Sequence, residues 1–131
     1  MAGLYGNGIE LTEKMMDFLW ERQNVGLNNV ANVDTPGYKT RYITFEETLR
    51  KKLQGASQGE GNGTKSAVYQ AIHSSRARLH VDESTSTRLD GNNVDMDQEQ
   101  VDLVRTAYEY QFMLQSVNND LKRLQSAAKA F

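Results

Sequence analysis

Cysteine is absent from this chain of 131 residues, which excludes a disulfide framework, a thiolate metal site and a cysteine nucleophile. Histidine is scarce: His73 and His80 are the two present. Asp82 and Glu83 stand near them, but the spacing matches no zinc pattern, and we read all four as solvated polar residues of the middle segment. No P-loop, Gly-x-Ser-x-Gly elbow or paired nucleophile and base occurs. We therefore assign no catalytic, cofactor-binding or metal-binding residue and do not expect an enzyme. A basic surplus is also missing. With 15 basic and 17 acidic residues the net charge is −2, unlike a dedicated nucleic-acid binder. The small clusters Arg50–Lys52 and Ser75–Arg78 read as solvated faces. No run approaches the roughly 18 to 20 apolar residues of a membrane span. The opening "MAGLYGNGIELTEK" lacks the basic and apolar regions of a secretory signal, so none is expected. The cysteine-free composition suits the cytoplasm, and equally a protein moved outside it that needs no oxidation there. The sequon Asn62–Thr64 is of a kind common by chance.

What is present is unevenly spread. The chain is 38% hydrophobic, with a mean hydropathy of −0.66, and its apolar residues gather towards the two ends. From Ile9 to Asn32 they recur at helical spacing. Ile9, Met16, Leu19 and Val30 form one seam; Leu11, Met15, Phe18 and Val25 form a second on a neighbouring face. Gln23 and Gly26 interrupt the first, Arg22 the second. A helix apolar on two faces is contacted from more than one side, which fits an ordinary core helix and a helix buried among several copies or partners alike. The chain's one proline, Pro36, ends it: Thr35 is pushed out of helical dihedrals. In "TPGY", Pro36 and Gly37 suit the central positions of a type II turn, placing Tyr38 to pack back on the helix or on a neighbour.

Beyond the turn, Thr44 and Glu47 suggest a capping box for a short helix from Phe45 to Gln54, with Phe45, Leu49 and Leu53 on one side. The Gly- and Ser-rich stretch from Gly55 to Ser66 reads as a flexible loop. The following residues suggest short strands or extended segments, and Asp90–Asn93 a turn. The C-terminal signal is the strongest. Leu103, Ala107, Tyr110, Leu114, Val117, Leu121, Leu124, Ala128 and Phe131 alternate spacings of four and three, an a/d seam. It predicts a helix from Gln98 to Ala128, begun by Asp97 with Gln100 or by Asp95 with Gln98. Lys122, Arg123 and Lys129 near its end complement the helix dipole.

The fold expected is mostly α. Long N- and C-terminal helices form an antiparallel coiled-coil-like pair, with an irregular, partly flexible middle holding a short helix and short β segments. The division runs 1–36 for the first helix of a helical domain, 37–93 for the middle with its loop 55–66, and 94–131 for the second helix. Two helices make a poor independent core, so further burial is expected from other chains. A small coiled-coil adaptor or regulator that binds one helical partner explains the heptads but not the turn. A nucleic-acid-binding hairpin would rely on Arg50–Lys52, and the net charge opposes it.

"NNVANVDTPGYK" resembles the signature of the bacterial flagellar rod and hook family, in which Ala-Asn-x-x-Thr-Pro-Gly-Tyr closes the N-terminal helix. Ala31, Asn32, Thr35, Pro36, Gly37 and Tyr38 carry that match. "DGNNVDMDQE", before the last helix, is similar to the proximal-rod branch of the family, and the short length agrees. The resemblance implies a structural rod subunit, exported through the flagellar type III apparatus without a cleaved signal and assembled in the periplasm. Its role would be to transmit torque from the membrane ring to the hook. Its partners would be copies of itself, other rod subunits of the FlgC type, the MS-ring and a FliE-like adaptor, with no nucleic acid and no small-molecule substrate. On this reading Met16, Leu19, Val30 and the C-terminal seam pack between subunits. The Asp34–Tyr38 turn sets the exit of the chain from an inner helical layer. The terminal helices are partly disordered before assembly.

Overall fold

The computed structural model describes residues 2–58 and 65–130, the side chains of residues 2–7 and of Gln58 excepted. The protein is mostly α, in the order α1 (Ala2–Ala31), β1 (Arg41–Thr44), α2 (Glu46–Gln58), α3 (Lys65–Ser74), β2 (Arg78–Val81) and α4 (Met96–Lys129). The two long helices run antiparallel and share the most extensive interface in the molecule: Asn29 meets Glu99 near one end, and Trp20 meets Tyr110 further along. Gly26 permits the close approach between these contacts. A Cβ there would stand 2.8 Å from Leu103 Cδ2, so the glycine that breaks the apolar seam of α1 makes room for α4.

The core lies where α1 meets α2 and α4. Phe18, Leu19, Phe45 and Leu49 are buried together, with Leu11, Met15, Leu53, Tyr110 and Met113 packed around them. The Phe18 and Phe45 rings sit 4.7 Å apart in a tilted arrangement. Arg22 closes this cluster. Its guanidinium lies 4.5 Å over the Phe45 ring, grips Glu46 through two hydrogen bonds of 2.7 and 3.0 Å, and donates a third to the Ile43 carbonyl at 3.0 Å. Burial pushes the Glu46 carboxyl up, but the Arg22 hydrogen bonds and charge, with backbone N–H groups, outweigh it and hold the group below its ordinary value.

Several local expectations give way. The Thr44–Glu47 capping box does not form: Thr44 belongs to β1 and bonds His80 Nε2 at 2.7 Å, while Glu47 pairs with Arg50. Helix α2 continues through Gly55 to Gln58, because Leu53 still packs on the core and Ser57 Oγ donates back to the Gln54 carbonyl. The expected loop 55–66 is therefore helical at both of its described ends; residues 59–64, including the sequon, lie outside the described residues. Residues 65–74 form α3, a helix that the short spacing of Ala71 and Ile72 did not announce; both are buried. Lys52 Nζ donates to the Ser74 carbonyl and ties α2 to α3. The histidines are not on a loose segment: His73 stands on α3, 3.1 Å from Glu10 of α1, and His80 on β2 stacks on Tyr42. The strands β1 and β2 pair antiparallel, with Tyr42 opposite His80 and Ile43 opposite Leu79. Helix α4 starts at Met96, with Asp95 as its cap accepting from the Asp97 and Gln98 N–H groups; Asp97 falls inside it.

Candidate functional site

The turn forms as its residue types demand. Tyr38 N–H donates to the Thr35 carbonyl at 3.2 Å, and Gly37 takes φ 74°, where a side chain would be strained. Tyr38 folds back on α1, and its hydroxyl donates to Asn29 Oδ1 at 3.0 Å. Asn32 bonds within its own turn: its Nδ2 donates to the Asn28 carbonyl, and its Oδ1 accepts from the Thr35 hydroxyl. Ala31, Thr35 and Pro36 are exposed. All six residues of the predicted motif thus stand together at one end of the helix pair.

Three asparagines hold this end, and the motif reading did not single them out. Asn29, 1% exposed on the last turns of α1, uses both ends of its amide twice. Its Oδ1 accepts from Tyr38 Oη and from Arg41 N–H at 3.0 Å; its Nδ2 donates to the Arg41 carbonyl at 2.7 Å and to Glu99 Oε1 at 3.1 Å. One side chain therefore joins α1, the turn, β1 and α4. Asn92, fully buried, donates to the Asn32 and Thr35 carbonyls at 2.8 and 2.9 Å, and its Oδ1 accepts from Val94 N–H. It adds a second donor to two carbonyls of the turn, which also accept the Thr35 and Tyr38 N–H groups. Asn93 accepts from Thr40 N–H at 2.7 Å and donates to the Asp82 carbonyl at 2.8 Å. Gly37 N–H donates to the Asp90 carbonyl, Arg88 to the Val33 carbonyl and Lys39 to the Gly91 carbonyl. The two sequence motifs, some fifty residues apart along the chain, are halves of one interlocked joint. Asparagine suits it because one short side chain offers donors and acceptors together. Asn28, Asn29, Asn32, Asn92 and Asn93 were visible as a local excess, but no spacing rule pairs them.

Glu99 is the strained member. It is 7% exposed; burial pushes its carboxyl above the ordinary value, the Asn29 hydrogen bond opposes that, and the Asp102 and Asp95 charges add to the rise. A carboxyl raised in the folded state contributes stability that is present at acid pH and lost as pH rises through its folded value. Glu99→Gln keeps the acceptor for Asn29 and removes the charge. We expect it to melt above the wild type at neutral pH, and the gap to close towards about pH 4, near the ordinary glutamate value. Melting curves at both pH values check this; a gap that does not change with pH would assign the effect to packing.

The residues expected to pack between subunits divide by environment. Leu19 is buried; Met16, Val30, Leu103, Tyr110 and Val117 are half-buried; Ala107, Leu114, Leu121, Leu124 and Ala128 are exposed. Phe131 lies outside the described residues. The face that α4 covers within the chain runs Glu99, Leu103, Thr106, Tyr110, Met113, Val117 and Asp120. It keeps the four-three alternation and shares Leu103, Tyr110 and Val117 with the seam read from sequence. The intervening positions of that seam turn outwards. A further apolar row, Val101, Val104, Tyr108 and Phe112, is 54 to 69% exposed. Among the described residues no helix is long and apolar enough to cross a membrane.

A family model described as "Flagella basal body rod protein" matches residues 21–39, the end of α1 and the turn. The chain is similar to the flagellar basal body rod protein FlgB of Aeromonas hydrophila, 34% identical over 111 residues that span 83% of each chain. It is 30% identical to FlgB of Borrelia hermsii over 82% of this chain and 84% of that one. The FlgB of Escherichia coli K12 is 27% identical over 93% of both.

Proposed function

Because the chain belongs to the FlgB family of flagellar basal body rod proteins, we propose that its terminal helices pack beside those of neighbouring subunits as the inner layer of the rod and carry torque from the membrane ring to the hook. The protein is a structural subunit of the flagellar basal body and assembles with other rod components. The finer placement is our reading: residues 1–36 and 94–131 make the inner helical domain, and residues 37–93 stand outside it. The neighbours are further copies, FlgC-like subunits, the MS-ring and a FliE-like adaptor. The chain reaches the periplasm through the flagellar type III apparatus without losing a signal. The adaptor reading is not favoured.

The observation that supports this reading best is the exposure of α4. Leu114, Leu121 and Leu124 are 38 to 42% exposed, and Tyr108 and Phe112 more so, on a helix whose other face is already covered by α1. Exposed apolar residues on more than one side of a single helix suit burial between neighbouring subunits. Leu114→Asp and Leu121→Asp test it, because neither change burdens the core of the single chain and each puts a charge into a contact that excludes water. We expect both variants to fold, with wild-type circular dichroism, and neither to enter basal bodies isolated from a strain lacking the native subunit. Rods of normal number built from either variant would remove this seam from the interface.

A further inference from the structure

The two-stranded sheet has one covered edge and one open edge. Asp82 N–H donates to the Thr40 carbonyl at 2.8 Å, and Asn93 bridges the same two residues on the other side, accepting from Thr40 N–H and donating to the Asp82 carbonyl. That contact fixes the phase of the ladder. Arg41 stands opposite Val81 and Ile43 opposite Leu79. The alternation of an antiparallel pair therefore turns the backbone groups of Tyr42 and Thr44 towards β2 and those of Arg41 and Ile43 outwards. Side chains of α1 meet this outer edge: Asn29 bonds both backbone groups of Arg41, and Arg22 bonds the Ile43 carbonyl. The same alternation turns the N–H and C=O groups of Leu79 and Val81 away from β1. Among the described residues nothing bonds them, and the two side chains are 57 and 44% exposed. An unpaired edge of this kind is a template for another strand.

We infer that β2 pairs antiparallel with β2 of a second copy, His80 opposite His80. Because α1 covers the edge of β1, two copies of this sheet can join only through β2. Of the registers that the phase allows, the one centred on His80 lets both free residues of each copy bond: Leu79 exchanges N–H···O=C bonds with Val81 of the other copy. It also sets Arg78 opposite Asp82, at a position where facing side chains stand close and opposite charges attract. Arg78 makes no ion pair in its own chain among the described residues, and Asp82 gives Ser84 N–H one carboxyl oxygen and keeps the other. Leu79 and Val81 cover each other on the second face. Each copy gives and takes the same surface, so the contact closes as a dimer. A rod that runs from ring to hook has a direction, which a two-fold contact lacks. On the rod reading the pair thus belongs to the free subunit, covers its open edge and separates on assembly; the dimer itself does not depend on that reading.

Sedimentation of the purified full-length chain, from micromolar to millimolar concentration, tests the pairing. We expect a reversible equilibrium between monomer and dimer. Leu79→Pro removes an N–H that points away from β1, so it blocks the edge and leaves the β1–β2 ladder intact. It should keep wild-type circular dichroism and weaken dimerisation at least about tenfold. Disulfides read the register, since the chain has no cysteine. His80→Cys sets a thiol opposite its own copy, at a spacing that a disulfide spans, whereas Leu79→Cys sets the two thiols on a diagonal. Under a mild oxidant we expect at least about tenfold more disulfide dimer from His80→Cys than from Leu79→Cys. A wild type that stays monomeric, a Leu79→Pro variant that dimerises as the wild type does, or equal crosslinking from the two cysteine variants would overturn the pairing. A monomeric wild type whose Leu79→Pro variant fails to enter basal bodies would overturn it too, and would give the edge to a strand of another rod component. None of these results decides the rod reading, which the Leu114 and Leu121 variants test.

Discussion

Asn29→Ala is expected to destabilise the protein by about 2 to 4 kcal/mol, the net loss of four hydrogen bonds, one buried and three part-buried, at up to about 1 kcal/mol each. The substitution strips the Arg41 N–H and carbonyl of their shared partner, releases the Tyr38 hydroxyl and leaves the buried Glu99 carboxyl without its donor. Little apolar area changes, so a loss well below 1 kcal/mol in urea unfolding would show that water replaces the amide freely. Asn29→Asp sharpens the test. It retains an acceptor for Tyr38 and Arg41 but sets a second carboxylate at the position now 3.1 Å from Glu99. Two like charges at that distance resist joint ionisation. The aspartate variant should therefore be the less stable of the two at neutral pH and recover the larger part of its loss in acid; the alanine variant recovers a smaller part, because it too removes the hydrogen bond that lowers the Glu99 carboxyl.

Phe45→Ala should cost about 3 to 5 kcal/mol, the usual range for an aromatic ring removed from a packed core. Phe45 is 1% exposed and is touched from three directions: by the Phe18 ring, by the Arg22 guanidinium and by the apolar side of α2. Its loss removes the surface on which Arg22 lies and weakens the ion pair with Glu46, so α2 should loosen before α1 and α4 separate. Amide exchange should then rise first in residues 46–58, with the centre of the long helices protected for longer. Uniform exchange across the chain would mean that α2 and the helix pair unfold as one unit.

The long helices could be read from the sequence because their apolar periodicity extends over many turns, and Pro36 and Gly37 determine the turn by their own dihedral limits. The seam of α4 has the expected alternation, but only three of its eight described positions, Leu103, Tyr110 and Val117, face α1. A four-three pattern shows that a helix has an apolar stripe and is silent on which flank a given partner takes. Leu103 and Tyr110 face inwards, Ala107 and Leu114 outwards, and only the position of α1 separates them. Helix α3 escaped because its buried pair, Ala71 and Ile72, is too small to make a period. The asparagine joint escaped for a different reason. Apart from the Tyr38 hydroxyl and the Glu99 carboxyl, the partners described for Asn29, Asn92 and Asn93 are mostly backbone carbonyls and N–H groups, and every residue carries a carbonyl, so residue type marks few of them. The match of the motif to a family pointed to the right place without stating the mechanism. What holds the place together is Asn29, Asn92 and Asn93, and none of them is among the six motif positions carried over from that match.

The joint also has a consequence in time. Its hydrogen bonds span 53 residues between Thr40 and Asn93 and 70 between Asn29 and Glu99. Closing so long a loop costs entropy before any bond repays it, and such contacts form late. Pairing of β1 with β2 and docking of α2 and α3 shorten the effective loop and bring Thr40 and Asp82 side by side, their backbones bonded at 2.8 Å. Only then do Asn92 and Asn93 find their carbonyls. We therefore expect the asparagine contacts between the two long helices to form late, after the middle of the chain has folded.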